Sequence, residues 1–205
     1  GTGTEGTDYS TISDITISAG ATTGTASFTP TDDSVYEGNE TGIVAISTVS
    51  GGSATEDGTQ SVTITITENE SSPTVTLTTS DTSIAENSGS TLTLTATISQ
   101  AADEDVTVNL GAAGTSTNGT DYGSISSITV SAGATTGTAT FDPTDDSVYE
   151  GSETAVISIS SVSGADAVES GSQSVTITIT DNESAPTVTL AVSATSIAEN
   201  AGSSL

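Results

Sequence analysis

The chain repeats itself without a gap. Asp8 returns as Asp121, Thr31 as Thr144, Pro73 as Pro186 and Ile84 as Ile197, each displaced by 113 residues. A period of that length is a whole single-core domain rather than a solenoid rung. The fold therefore has to close within one period and be stackable end to end. A unit that begins at the proline after the Asn-Glu-Ser segment runs over 73–185. Residues 1–72 then read as the C-terminal part of an earlier unit and 186–205 as the N-terminal part of the next, like a window cut from a longer repetitive protein. The junctions ENESSPTV and DNESAPTV carry one proline each and are short, which predicts closely apposed neighbours rather than flexible linkers.

Within 73–185 the apolar residues alternate with threonine and serine in two-residue steps between turn clusters. That period belongs to half-buried strands and has no reason to persist in a disordered acidic chain. Strands are expected at 74–80, 91–99, 105–111, 126–132, 137–143, 154–162 and 174–181. Seven short strands without a helical period predict an all-β fold: tandem immunoglobulin-like, seven-stranded antiparallel β-sandwiches. The expected core is Val75, Leu77, Leu92, Leu94, Ile98, Val106, Val108, Ile128, Phe141, Val156, Ile159, Val175 and Ile177, or their neighbours on the same face.

Charge narrows the function. The sequence holds 27 acidic residues and no lysine, arginine or histidine. Nucleic acid and anionic membrane surfaces are repelled by such a chain. No apolar run approaches the length of a bilayer span, so no membrane insertion is expected of this segment, and a secretion signal would lie outside it. Without cysteine there are neither disulfides nor thiolate ligands. Without histidine, cysteine, lysine or arginine the chain cannot form a Ser-His-Asp or Cys-His arrangement, and its carboxylates recur in every unit without a sugar-stacking wall, so no enzyme is expected.

Successive antiparallel strands put alternate loops at opposite ends of a sandwich. One end then collects Glu86 from the first loop, Asp121 from the third, Asp145, Asp146, Glu150 and Glu153 from the fifth, and Asp181 with Glu183 from the finish of the last strand. Two unit charges about 4 Å apart repel by roughly 4 kcal/mol at an effective dielectric near 20. Eight carboxylates with no basic partner must bind protons or cations, and carboxylates with turn carbonyls suit Ca²⁺. Acids are common in turns for local reasons too. The far end, however, is built differently: its SAGATTG turn is uncharged, and Asp103, Glu104, Asp105, Asp166 and Glu169 read as solvated turn residues.

The segments AENSG (85–89), GTDY (119–122), DDSVYEGSE (145–153) and ITDNE (179–183) together resemble the Calx-beta domain over the whole unit 73–185. The resemblance implies a sandwich that binds calcium at one tip, with Glu86, Asp121, Asp145, Asp146, Glu150, Glu153, Asp181 and Glu183 as ligands. The matching residues of the first unit are Asp8, Asp32, Asp33, Glu37, Glu40, Glu68 and Glu70, and Glu199 is the lone matching acid of the third. Calcium-sensing members end in consecutive aspartates, where this chain has Glu68-Asn69-Glu70 and Asp181-Asn182-Glu183. Ser34 and Ser147 also replace a third acid. Fewer ions or weaker binding should follow, in the range of about 0.1 to 1 mM that suffices outside a cell.

Each last strand ends where the next unit begins, which puts the acidic cluster at the junction. Asp103 or Asp166 of one unit is then placed to reach the cluster of the unit before it. The expectation is a calcium-stiffened rod or filament, an adhesin stalk or spacer on a bacterial surface, with neighbouring repeats of the same chain as its partners and self-assembly as an extension. The alternative is a calcium-dependent adhesion module for a glycan or protein ligand. Its few aromatics, Tyr9, Tyr36, Tyr122, Tyr149, Phe28 and Phe141, each have a counterpart one period away and read as packing residues. Asn39, Asn69, Asn118 and Asn182 fall in Asn-x-Ser/Thr triplets, which a chain this rich in serine and threonine produces by chance.

Overall fold

A computed structural model of the chain describes residues 1–199 and 202. Its strands are β1 (Glu40–Ala45), β2 (Ser61–Ile66), β3 (Thr74–Thr79), β4 (Ser83–Ala85), β5 (Leu92–Ile98), β6 (Val106–Gly114), β7 (Ile128–Val130), β8 (Thr136–Phe141), β9 (Glu153–Ser163), β10 (Val168–Glu169) and β11 (Ser174–Thr180). Among the described residues the one helical element is a 3-10 turn, Glu86–Ser88.

Strands β3 to β11 form a sandwich of a four-stranded sheet, in the order β10-β3-β5-β8, and a five-stranded sheet, in the order β4-β11-β9-β6-β7. The alternation seen in the sequence is the alternation of burial. In β5, Leu92, Leu94, Ala96 and Ile98 face inward and the threonines between them face outward. Eleven of the thirteen expected core residues are buried, among them Val75, Leu94, Val106, Val108, Ile128, Phe141 and Ile177. In β9 the inward face belongs to Ala155, Ile157 and Ile159, so Val156 lies on the outer face and is only half-buried. Val175 is half-buried and packs against the core from its edge.

All seven expected strands are present, and β4 and β10 are added to them. Both pair in parallel, β4 with β11 and β10 with β3. Strands of two or three residues are too short to carry a period, which is why the sequence did not announce them. β4 matters for the site. The chain bends between β3 and β4 where Asp81 accepts hydrogen bonds from the Thr82 and Ser83 amides, and so crosses to the other sheet. The register Ala85↔Thr180 then sets Glu86 beside Asp181.

Residues 1–70 contain β1 and β2 as a separate antiparallel pair. Ile15 and Ile17 are 59% and 58% exposed, whereas their counterparts one period on, Ile128 and Val130, are fully buried where β7 pairs with β6. The rings keep the same packing in both places: Tyr9 stacks on Phe28 at 4.6 Å and Tyr122 on Phe141 at 4.8 Å between centroids.

Gly114 closes β6 with a φ of +118°, and a Cβ there would lie 2.1 Å from the Thr154 carbonyl oxygen. That close approach lets the Thr115 and Ser116 amides bond the same carbonyl, next to Glu153. Gly114→Ala is expected to cost about 1–3 kcal/mol of stability, read as a lowered denaturation midpoint at unchanged slope. An unshifted midpoint would refute the close-approach argument.

Candidate metal centre

The buried Tyr122 ring fixes Asp121 at the rim of the sandwich. The Asp121 carbonyl accepts the Thr144 amide at 2.9 Å, tying the loop after β6 to the loop after β8. One Asp121 carboxylate oxygen accepts the Thr117 amide and closes its own turn. The loop after β8 is shaped by Asp146, which accepts the Val148 amide at 2.7 Å, and by Gly151 at a φ of +73°. Asp181, beyond β11, accepts the amides of Glu150 and Gly151 with one oxygen and that of Glu183 with the other. Glu153 opens β9. The outcome is a group of three carboxylates, Asp121, Glu150 and Glu153, with oxygens all within 4.8 Å of one another.

Beside it lies a second group, Glu86, Asp145 and Glu183, within the same 4.8 Å. Glu86 is 92% buried, by the complement of its 8% exposure, and accepts the Asn182 amide at 3.2 Å. Its charge acts on Glu150 and Glu153, so the two groups share one field.

Residues 1–70 reproduce the first group as Asp8, Glu37 and Glu40. Here Glu68 takes the place of Asp181 and accepts the amides of Glu37 and Gly38. Glu70 is raised by sharing a hydrogen bond with Glu68, and Asp32 adds to the effect, so part of the second group recurs as well.

The electrostatics are those of anions pressed together. Glu37 is raised to about 7, first by loss of solvent and then by Asp8, Asp33, Glu40 and Asp103. Glu183 is also raised to about 7, first through the hydrogen bond it shares with Glu86. Glu40 and Glu153 are raised by desolvation and then by Asp8 and Asp121 respectively. Glu68 is lowered to about 2: burial opposes ionisation, but the amides of Glu70, Glu37 and Gly38 outweigh it. Two carboxylate oxygens, Glu40 Oε2 and Glu183 Oε2, are buried with no N–H or hydroxyl donor facing them, so that only a proton shared with a neighbouring carboxylate or an ion can satisfy them. An orphaned anionic oxygen inside an all-carboxylate group, in a chain with no basic side chain, fits a hard divalent ion.

The structure sorts the expected site residues. It brings together Asp121, Glu150 and Glu153, then Glu86, Asp145 and Glu183, then Asp8, Glu37 and Glu40. Asp181 and Glu68 sit at the centre of the loops but turn their oxygens to backbone amides. Asp146 and Asp33 close equivalent turns onto Val148 and Val35, and Asp32 accepts the Asn69 side chain at 3.1 Å. Glu199 is exposed and in none of the three groups.

The acids of the far end are not simply solvated. Asp105 accepts the Ala132 amide and Glu104 the Ala165 amide, while Asp166 accepts the Tyr36 hydroxyl. Asp103 raises Glu37 and Glu40 across the junction. The asparagines of the Asn-x-Ser/Thr triplets also work in the loops: Asn39 accepts the Glu68 amide and Asn182 donates to Glu183. Their position beside acids was the sequence signal for that role.

The arrangement is that of an all-β sandwich module with groups of carboxylates on the loops at one end. Residues 71–182, more than half of the chain, match the LapA domain, and the chain belongs to that family. Residues 1–70 match the Calx-beta domain, a family of calcium-binding β-sandwich modules. The Calx-beta resemblance expected of both units is thus matched on residues 1–70, which carry the same acidic group as the sandwich that follows. Among solved structures, the apo-form Calx CBD1 domain is 18% identical, with 53% of this chain and 98% of that one covered at a TM-score of 0.45. CBD12 from CALX1.2 is 21% identical, with 48% and 40% covered at a TM-score of 0.42. No curated protein matches the chain.

A carboxylate held above its ordinary value of 4.5 binds more protons folded than unfolded. Its contribution to stability is present in full below about 4.5 and is lost as pH rises through about 7. In chelator, the melting temperature should therefore fall as pH rises from 5 to 8. Calcium should flatten that slope, because the ion replaces the protons. A chelated protein that melts higher at pH 8 than at pH 5 would contradict these shifts.

Proposed function

We propose that the chain is a calcium-binding structural segment of an extracellular bacterial adhesin, a stack of sandwiches whose joints are stiffened by ions held at their loop ends. The observation that carries this reading is the pair of buried, partnerless oxygens Glu40 Oε2 and Glu183 Oε2 in groups made only of carboxylates. Asp121, Glu150 and Glu153, Glu86, Asp145 and Glu183, and Asp8, Glu37 and Glu40 would hold the ions. When bound, calcium supplies the positive charge that the sequence lacks. The protein's own contribution is to fix those loops. Asp181, Glu68, Asp146 and Asp33 hold the backbone so that the remaining carboxylates converge without having to be ordered by the ion.

Position supports the stiffening role. The Asp8 group lies at the junction of residues 1–70 with the sandwich that follows, where Asp103 adds its charge to Glu37 and Glu40. Filling that group removes a repulsion that spans the joint. The LapA domain match supports an adhesion setting. A chain without Lys or Arg offers no trypsin-type cleavage site, which suits a surface exposed to proteases. Among the described residues no helix is long and apolar enough to cross a membrane.

Thermal unfolding in about 10 mM calcium, against chelator and a magnesium control, tests the reading. With a dissociation constant near 0.1 mM, calcium should stabilise by about 2.7 kcal/mol per site. Small-angle scattering should show a longer, stiffer particle with calcium than without. Melting and scattering that ignore calcium would sink the proposal.

Glu150→Gln separates a binding site from a mere acidic surface by an inversion of sign. The substitution removes repulsion and should raise the melting temperature in chelator. In calcium it should weaken binding about tenfold, or ~1.4 kcal/mol, and lower the melting temperature. A shift of the same sign in both buffers would count against Glu150 as a ligand.

A further inference from the structure

Tyr36 and Tyr149 stand at the same place in the same sequence, Asp-Asp-Ser-Val-Tyr-Glu-Gly. Their loops also fold alike. Asp33 and Asp146 each accept the amide two residues on at 2.7 Å, Gly38 and Gly151 have φ of +71° and +73°, and Glu68 and Asp181 hold the next two amides. The surroundings of the two rings nevertheless differ completely. Tyr36 is 9% exposed, Tyr149 is 46% exposed, and Val148 beside it is 57% exposed.

Tyr36 is buried by the sandwich of residues 71–182, whose core cluster it joins. Its amide donates to the Ala101 carbonyl at 2.9 Å, and its carbonyl accepts the Asp103 amide at 3.1 Å. The hydroxyl donates to Asp166 Oδ2 at 2.9 Å. The receiving turn is unusual: Gly164, Ala165 and Asp166 all have positive φ, at 96°, 50° and 48°. Consecutive non-glycine residues in that region are strained and persist only where the surroundings demand them. Here the strained turn presents a carboxylate to a neutral donor. With no basic side chain in the sequence, only hydroxyl and amide side chains are left to donate to an acid across a joint, and here the Tyr36 hydroxyl does so.

We propose that Tyr149 is the plug of a second joint of this kind, received by the loop end of a further sandwich of the same build. Residues 186–199, PTVTLAVSATSIAE, repeat residues 73–86, PTVTLTTSDTSIAE, which begin the sandwich that receives Tyr36. Val188 and Leu190 are 97% and 96% exposed, where Val75 and Leu77 of that sandwich are buried. The occupant is therefore specified by the chain's own continuation of the repeat. Because the Tyr149 loop already has the shape of the Tyr36 loop, docking orders little beyond the ring itself. Val148 and Tyr149 form an apolar point on an acidic tip, as an unfilled contact would. The inference concerns protein contacts and does not depend on calcium occupancy.

Tyrosine nitration with peptide mapping tests it. The full chain is compared with a chain extended by a second copy of residues 73–185 placed after residue 185, the appended copy carrying Tyr149→Phe so that a single Tyr149 is read, each in calcium and in chelator. In the unextended chain Tyr149 should react quickly, with Tyr9, Tyr36 and Tyr122 protected. In the extended chain Tyr149 should slow about tenfold or more, towards the rate of Tyr36, because modification then waits on opening of the joint. Asp→Ala at the position of Asp166 in the appended copy should restore Tyr149 reactivity severalfold and leave Tyr36 unaffected. A Tyr149 that reacts equally fast in both chains, or whose protection ignores that substitution, overturns the proposal. Because protection is read in both buffers, its failure is distinguishable from a failure to bind calcium, which the melting experiment reports.

Discussion

Uncompensated negative charge governs this protein. With 27 acidic side chains and no basic one, every carboxylate has to be handled by solvent, by a backbone amide, by a neutral side-chain donor, by a proton or by an ion. The structure uses the second device wherever a loop must be held: Asp181, Glu68, Asp146 and Asp33 accept amides and brace their turns. The remaining acids are forced together by that bracing. Glu37 is raised to about 7 by loss of solvent and then by the acids around it, and Glu183 to about 7 through the hydrogen bond it shares with Glu86. The same loops cannot relax to separate the charges, because their backbones are tied to buried rings and to one another.

The rest of the fold serves that tip. Tyr122 on Phe141, and Tyr9 on Phe28, peg the loop that carries Asp121 or Asp8 to the core. β4 crosses to the second sheet and delivers Glu86 beside the end of β11. Gly114 lets the backbone press on Thr154 just inside Glu153. The far end is built as a receiver instead. Its acids bond loop amides and the Tyr36 hydroxyl, and the strained turn at Ala165 and Asp166 is part of that seat. The two ends of one sandwich are thus unlike, one gathering carboxylates and the other seating the Tyr36 ring.

The match of residues 71–182 to the LapA domain and of residues 1–70 to the Calx-beta domain divides between two families an acidic arrangement that the chain repeats almost unchanged. Asp8, Glu37 and Glu40 in one segment and Asp121, Glu150 and Glu153 in the other are the same geometry. The difference lies in what surrounds them: one group faces a neighbouring sandwich through Tyr36, and the other presents Tyr149 to solvent.

The amino-acid sequence by itself determined the class of fold, the inward face of most strands and the end at which the acids gather. Two-residue alternation and loop parity are local properties that survive without coordinates. It misassigned Val156, because β9 is long enough to bury a different face from the one its first valine suggests. It missed β4 and β10, because parallel pairing of two or three residues leaves no periodic trace. Only the tertiary structure decided which acids converge and which merely brace a turn, since Asp181 and Asp145 look alike until the amides around them are placed. Only it, too, separated Tyr36 from Tyr149, for burial depends on what stands opposite a side chain, and the seven-residue stretch that contains each is identical.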